Sequence, residues 1–272
     1  MKTALIGISN KIKQHRGKIK VWAESFRKYS DGEIILIAAN SDDEDIKVCE
    51  ELGVKYHRVD VGDPWYINNK RLHFIAEYLK TSDVDVFLST DVFDVLFQAN
   101  PFDKFDLVNY DLFVSNEGIM IREEPWNSDV INRCFPGEIS CCINNEITCS
   151  GVIGGKREQL IHLFERMHIM CENAVNGHNV RDQAALLLMM GRNEVEKLKV
   201  FTVDDGWAMH CQSSGPTQFF ESWGLKRNLS SRYGIPKLID DKIFTADDKL
   251  YDIVHQFNRV PEWNQILTKK YE

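Results

Sequence analysis

Asp91 and Asp94 stand three residues apart in Ser89-Thr90-Asp91-Val92-Phe93-Asp94-Val95-Leu96-Phe97-Gln98. Carboxylates in that pattern suit a hard divalent cation, which takes oxygen ligands. Held there, Mn2+ or Mg2+ can act as a Lewis acid on a departing diphosphate. That chemistry needs both carboxylates on a short, rigid turn. The plainer alternative is that Asp91 caps a turn and Asp94 caps a following helix. A lone DxxD does not decide between the two.

The surrounding elements must hold the pair still. Val84-Asp85-Val86-Phe87-Leu88 reads as a strand running into Asp91, and Val95-Leu96-Phe97 anchors the far side. Upstream, strands and helices alternate. Residues 3–8 form a short apolar strand that ends in the turn Gly7-Ile8-Ser9-Asn10. Residues 21–29 read as a helix. Ile34-Ile35-Leu36-Ile37-Ala38-Ala39 is a continuous apolar run, as in a strand buried on both faces. Ser41-Asp42-Asp43-Glu44-Asp45 suits a helix N-terminus, where acidic groups favour the dipole. That helix stops at Gly53, and 55–59 is a third strand. Over 70–79, Leu72, Ile75, Ala76 and Leu79 make one buried helical stripe.

This alternation predicts an α/β fold, a mostly parallel central sheet with helices on both faces. Ligands of such sheets bind at the carboxyl ends of the strands, where Asp91 stands. Further on, 112–114 reads as a strand and 118–148 as loop-rich. Ser150-Gly151-Val152-Ile153-Gly154-Gly155 leads into a helix carrying Leu160, Leu163, Phe164 and Met167. A helix over 182–190 and a strand over 199–203 follow, with loops expected from Trp207 onward. Neither a repeat nor a low-complexity linker divides the chain, so 1–272 reads as one domain.

Composition narrows the function classes. The 272 residues are 43% apolar and 27% charged, enough for a continuous core and too patterned for wholesale disorder. The net charge of −8 argues against nucleic acid as a partner. The one basic stretch, Lys11, Lys13, His15, Arg16, Lys18 and Lys20, reads as a solvated helix face. Its alternative is contact with an anionic donor or a membrane-linked acceptor. Seven cysteines without paired CxxC spacing suggest reduced thiols in a cytoplasmic protein. Neither a signal peptide nor the run of ~18–20 apolar residues needed to span a bilayer is visible.

Several segments together carry a resemblance. Val86 to Phe97, continued by Gln98-Ala99-Asn100-Pro101-Phe102, resembles the metal-binding segment of GT-A glycosyltransferases. It is most similar to the DxxD variant of bacterial polysaccharide glycosyltransferases and lysyl hydroxylase glycosyltransferase domains. Cys149-Ser150-Gly151-Val152-Ile153-Gly154-Gly155 resembles the acceptor-side segment, with Cys149 where Asn is usual. Arg181-Asp182-Gln183 resembles the D-Q motif, and Ile253-Val254-His255-Gln256-Phe257-Asn258-Arg259 resembles the late histidine segment.

The resemblance implies a GT-A fold: a nucleotide-sugar half over about 1–110 and an acceptor half over about 111–272. It implies transfer of a hexose from a nucleotide-diphosphate sugar, a UDP-sugar by expectation, to a saccharide or lipid-linked saccharide. Retention of configuration and a place in surface polysaccharide synthesis are also implied. Peripheral association with a membrane is compatible with this. His255 becomes a third ligand beside Asp91 and Asp94, and an imidazole favours Mn2+ over Ca2+. Its alternative is a structural histidine.

Asp182 and Gln183 are expected beside the transferred sugar, although Asp182 could also cap its helix. Lys70 and Arg71 could face the diphosphate, or simply be solvated. Ile8, Ser9, Asn10 and Thr90 are expected at the donor, with Asp60 on base or ribose unless it caps a turn. Ser150, Gly151 and Gly154 are also expected at the donor, and Gly154 and Gly155 would permit close approach of acceptor or donor to the backbone. Asp204-Asp205-Gly206 reads as a turn. Trp207, Trp223 and Trp263 could stack on a sugar or lie in the core.

Two other function classes compete. A nucleotidyltransferase that makes sugar-nucleotides should carry a Gly-rich basic loop after the first strand, but Gly7-Ile8-Ser9-Asn10 has one glycine. A non-catalytic sugar-binding module would explain the tryptophans but not the ordered acidic and histidine motifs.

Overall fold

The computed structural model describes residues 1–175, 178–215 and 233–271. Strands β1 (Thr3–Ser9), β2 (Glu33–Ala39), β3 (Lys55–Val59) and β4 (Val86–Thr90) run parallel. After a short β5 (Val95–Phe97), the sheet is completed by β6 (Leu112–Met120), β7 (Glu146–Lys156) and β8 (Leu198–Phe201). The order is β3-β2-β1-β4-β7-β6-β8. Strand β7 is antiparallel to both β4 and β6, and β8 is parallel to β6.

Alternation along each strand sends side chains to opposite faces. Leu5, Leu36 and Leu88 meet Trp22 and Phe26 of α1 (Arg16–Arg27) and Ile46 of α2 (Asp43–Glu51). Ile6, Ile35, Ile37 and Phe87 face the other way. They pack on α3 (Ile67–Thr81), with α4 (Pro125–Cys134) following in the chain, and on α5 (Arg157–Asn173) and α6 (Asp182–Gly191). The stripe Leu72, Ile75, Ala76 and Leu79 is buried as expected. Asp42 caps α2 by accepting from Asp45 N, and Gly53, with φ +62°, follows its end.

The C-terminal part folds back over the sheet's end. Strand β9 (Ala208–His210) leads into the single turn α7 (Cys211–Ser214). A hairpin of β10 (Lys237–Ile239) and β11 (Lys242–Phe244) precedes β12 (Ile253–His255) and α8 (Pro261–Thr268). Strand β12 lies between β5 and β9 in a second small sheet.

Several boundaries differ from expectation. Helix α1 starts at Arg16, so the basic stretch occupies its first turns and the turn before it. Lys13 and Arg16 pair there with Glu44 and Glu51 of α2. Strand β4 runs to Thr90 and β6 to Met120. The segment expected to be loop contains α4. Its Pro125 sits at the first helical position, where a missing N–H costs nothing, instead of breaking a helix.

Trp207 and Trp263 are core residues, not sugar platforms. Trp207 is fully buried and donates Nε1–H to the Pro101 carbonyl at 3.0 Å. Trp223 lies outside the described residues. Asp205 accepts from Thr202 N, and Gly206 is left-handed at φ +70°, as the turn reading expected. All seven cysteines are free thiols.

Candidate active site

Residues 91–94 connect β4 to β5, and both ends are clamped. Asp91 N donates to Gly151 O at 2.9 Å, extending the β4–β7 ladder. Gln256 N, just past β12, donates to Asp94 O at 2.6 Å. Asp94 is followed by a strand, so it caps no helix. The carboxylates point elsewhere. Asp91 Oδ1 accepts from Arg71, and its Oδ2 lies 3.2 Å from His255 Nε2. Asp94 Oδ1 is 3.8 Å from the same nitrogen.

Asp91, Asp94 and His255 each offer one ligand atom, all within 4.8 Å of one another. Two hard oxygens and one imidazole nitrogen fit Mn2+ or Mg2+. Gly151 makes the convergence possible. A Cβ there would lie 2.6 Å from His255 Cε1 and 2.8 Å from Asp91 Oδ2.

Electrostatics separate the members. Burial would raise the Asp91 carboxyl, but Arg71 and then His255 hold it below the ordinary carboxylate range. Asp94 moves upward: burial is the largest cause and, with the like charge of Asp91, outweighs the relief from His255, Arg259 and Lys18. Burial disfavours charge on His255, yet Cys149 and the acidic pair raise it well above the usual histidine value. The Cys149 thiol is itself pushed up to about 11 by burial. Asp91 therefore stays ionised and supplies attraction for a cation.

Beneath the pair sits a buried bridge. Arg71, from α3, contacts Asp91 through Nη1 and Asp182 through Nη2. Its Nη2 also donates to Ser150 O at 2.9 Å. Burial would strip the guanidinium's charge, but Asp182 and Asp91 more than restore it, so it stays protonated. Asp182 is 1% exposed and takes a hydrogen bond from Ser150 Oγ at 3.2 Å. It does not cap α6: Arg181 holds that position, and Asp182 is the first helical residue. Asp182 Oδ1 has no hydrogen-bond partner among the described residues. Gln183 Nε2 donates to Asn127 Oδ1 at 2.8 Å, so the unexpected α4 fixes this side chain.

Two clefts meet at the acidic pair and share Asn68, Arg71, Asp91 and Asp94. One is lined by Ile8, Ser9, Asn10, Thr90 and Phe93. The other is lined by Ser150, Gly151, Asp182, Gln183, Trp126 and His255. Most of the expected site residues thus converge, with qualifications. The Thr90 hydroxyl oxygen is already engaged, accepting from Trp22 Nε1 at 2.8 Å. Asp60 faces neither cleft; its Oδ1 accepts from Gly62 N at 2.8 Å, so it caps a turn. Lys70 donates to Val61 O in that same outlying region. Gly154 admits no substrate, because a Cβ there would lie 2.3 Å from the Phe105 ring. Gly155 is covered by Asp111 and Leu112 in the same way.

The structure adds cleft residues that the sequence reading missed. Trp126 and Asn127 come with α4, and Gln212 with α7. Glu117 lies buried in β6 on Ser213, its carboxyl raised by burial. Glu117 stands in the polar run Ser115-Asn116-Glu117 between the apolar ends of β6, and that interruption was the available signal. For Gln212 there was none. Arg259 closes the list at the rim near Asp94.

No family model matches the sequence, and no curated protein matches it. Solved structures share the fold. The galactosyltransferase LgtC, in complex with donor and acceptor sugar analogues, aligns over 93% of this chain and 86% of its own, with a TM-score of 0.53 at 13% identity. An active-site mutant of LgtC aligns over the same shares with a TM-score of 0.52 at 12% identity. The mixed seven-stranded sheet with helices on both faces is a GT-A fold.

Proposed function

We propose that the chain is a metal-dependent glycosyltransferase that moves a hexose from a nucleotide-diphosphate sugar to a saccharide acceptor. The observation that carries this is the convergence of Asp91, Asp94 and His255 where two clefts join. The cleft along Ile8, Ser9 and Asn10 takes the nucleoside, uridine in our reading, and the cleft along Trp126 and Gln183 takes the acceptor. Bound at the acidic pair, Mn2+ or Mg2+ supplies Lewis-acid stabilisation of the leaving diphosphate.

The chain's own groups do the rest. Arg71 keeps Asp91 ionised and fixes the direction of both Asp91 and Asp182. The free Oδ1 of Asp182 is placed to accept from a sugar hydroxyl. Arg259 and Lys18 flank Asp94 and add positive charge for the phosphates. Ser150 and Gln183 lie on the same side as Asp182 and orient the transferred sugar. Retention of configuration and a lipid-linked or polysaccharide acceptor complete the proposal, on the motif resemblance. Of the three tryptophans named for the sugar-binding-module alternative, Trp207 and Trp263 are buried and Trp223 lies outside the described residues.

The test is a panel of nucleotide-sugars followed by thermal shift and donor hydrolysis, with and without Mn2+. Stabilisation by a UDP-sugar should grow with metal. Asp94→Ala and His255→Ala should each abolish the metal-linked part. If both variants keep full metal-dependent activity, the assigned site is wrong. NMR of the anomeric product separates retention from inversion.

A further inference from the structure

His255 has two ring nitrogens, and the metal reading above uses only Nε2, which faces Asp91 and Asp94. The other, Nδ1, lies 2.9 Å from Nδ1 of His210 and 3.6 Å from Cys149 Sγ. His210 is fully buried, and its Nε2 lies 2.6 Å from Ser115 Oγ on β6. The two rings stand nearly perpendicular, at 89°. They are brought together by strand register: His255 of β12 pairs directly with His210 of β9.

Hydrogen-bond direction along this chain has one solution compatible with a cation. A lone pair on His255 Nε2 requires its proton on Nδ1. That N–H needs an acceptor, and the nearest is His210 Nδ1. His210 then carries its own proton on Nε2 and donates it to Ser115 Oγ. Reversing the chain would put a proton on His255 Nε2, between the ring and the carboxylates, and remove the ligand. A metal-bound histidine is commonly fixed this way by a partner on its other nitrogen.

We infer that His210 is a positioning residue: it holds His255 in the tautomer and orientation that present Nε2 to the cation. This rests on the metal reading proposed above. The partner is itself a histidine, anchored on a serine of the central sheet, so the small C-terminal sheet and the main sheet are coupled through the ligand. Cys149 is the weaker neighbour, because its sulfur already accepts from Gly151 N at 3.4 Å and lies farther from Nδ1.

Mn2+ affinity is the direct readout, measured as free Mn2+ by electron paramagnetic resonance on the intact chain. His210→Leu removes the acceptor and should weaken Mn2+ binding about 10–100-fold. His210→Asn places a carbonyl oxygen near the lost Nδ1 and should recover most of that loss. Cys149→Ser should weaken binding less than His210→Leu. A packing role alone predicts that Asn, smaller and more polar than His, is no better than Leu. Circular dichroism melts of each variant check that it folds. Should His210→Leu bind Mn2+ as tightly as the wild type, or His210→Asn bind no more tightly than His210→Leu, the inference falls. Failure of the wild-type chain to bind Mn2+ would overturn the metal reading and this inference with it. Wild-type binding that is insensitive to His210 overturns this inference alone.

Discussion

At the scale of single residues, the site is a contest between protons and a cation for the same lone pairs. Asp94 is raised by burial and by Asp91, and His255 is raised by its neighbours. Both bind protons more readily than their free counterparts, so protons compete better as pH falls. Mn2+ affinity should therefore drop with falling pH, by about tenfold per pH unit for each proton displaced. Because His255 is shifted upward, the decline should already be under way above the ordinary histidine range. Calorimetry in buffers of different ionisation enthalpy counts the protons released. An affinity flat between about pH 6 and 8 would remove His255 from the ligand set.

Arg71 makes a different prediction. Asp182 is almost fully buried, and Arg71 is its charge partner. Arg71→Met leaves that carboxylate unpaired and should cost about 3–5 kcal/mol, read from urea unfolding. Adding Asp182→Asn should recover a large part of the loss. A single variant as stable as the wild type would mean the bridge holds nothing together.

At the scale of elements, β7 shows glycines doing two jobs only a few residues apart. Gly151 lies against His255 and Asp91, Gly154 against Phe105. Gly151→Ala should abolish Mn2+ binding through displaced ligands, with a smaller effect on stability. Gly154→Ala should destabilise by about 1–3 kcal/mol through overpacking, with the ligands in place. Unfolding curves beside Mn2+ titrations distinguish the two, and matching behaviour of both variants would contradict the assignment.

The same contrast marks what could be read without coordinates. Strands β1 to β4 and helices α2 and α3 announce themselves by apolar period and caps, and the Asp91–Asp94 turn follows from them. Gly154 was read as a substrate approach because sequence does not say which side chain fills a gap. Asp60 was read as a donor contact because a turn cap and a ribose contact use the same carboxylate. Helix α4 was missed because the apolar part of its buried face is short, Val130, Ile131 and Cys134, and stands behind a proline and the polar Asn127. The β9–β12 register that joins His210 to His255 is long-range, and no local pattern encodes it.

At the scale of the whole molecule, the two halves are interlocked. Strand β4 from the first half pairs with β7 from the second, Ser89 opposite Ile153 and Thr90 opposite Val152. Strand β5 pairs with β12, so Asp94 is held by the segment that carries His255. A fragment of residues 1–110 would expose the β4 edge and leave β5 without its partner. Such open, apolar edges favour association over folding. The fragment should therefore be aggregated or unfolded, while the full chain should unfold in one transition when followed by both fluorescence and circular dichroism. The proposed ligands also come from both halves, so Mn2+ with a UDP-sugar should raise the midpoint of that single transition without splitting it. At about a hundredfold excess over Kd the gain would be about 2.7 kcal/mol. Two separable transitions, with only one of them moved by metal, would mean that the halves fold apart and that the ligands are not joined as the β5–β12 pairing requires.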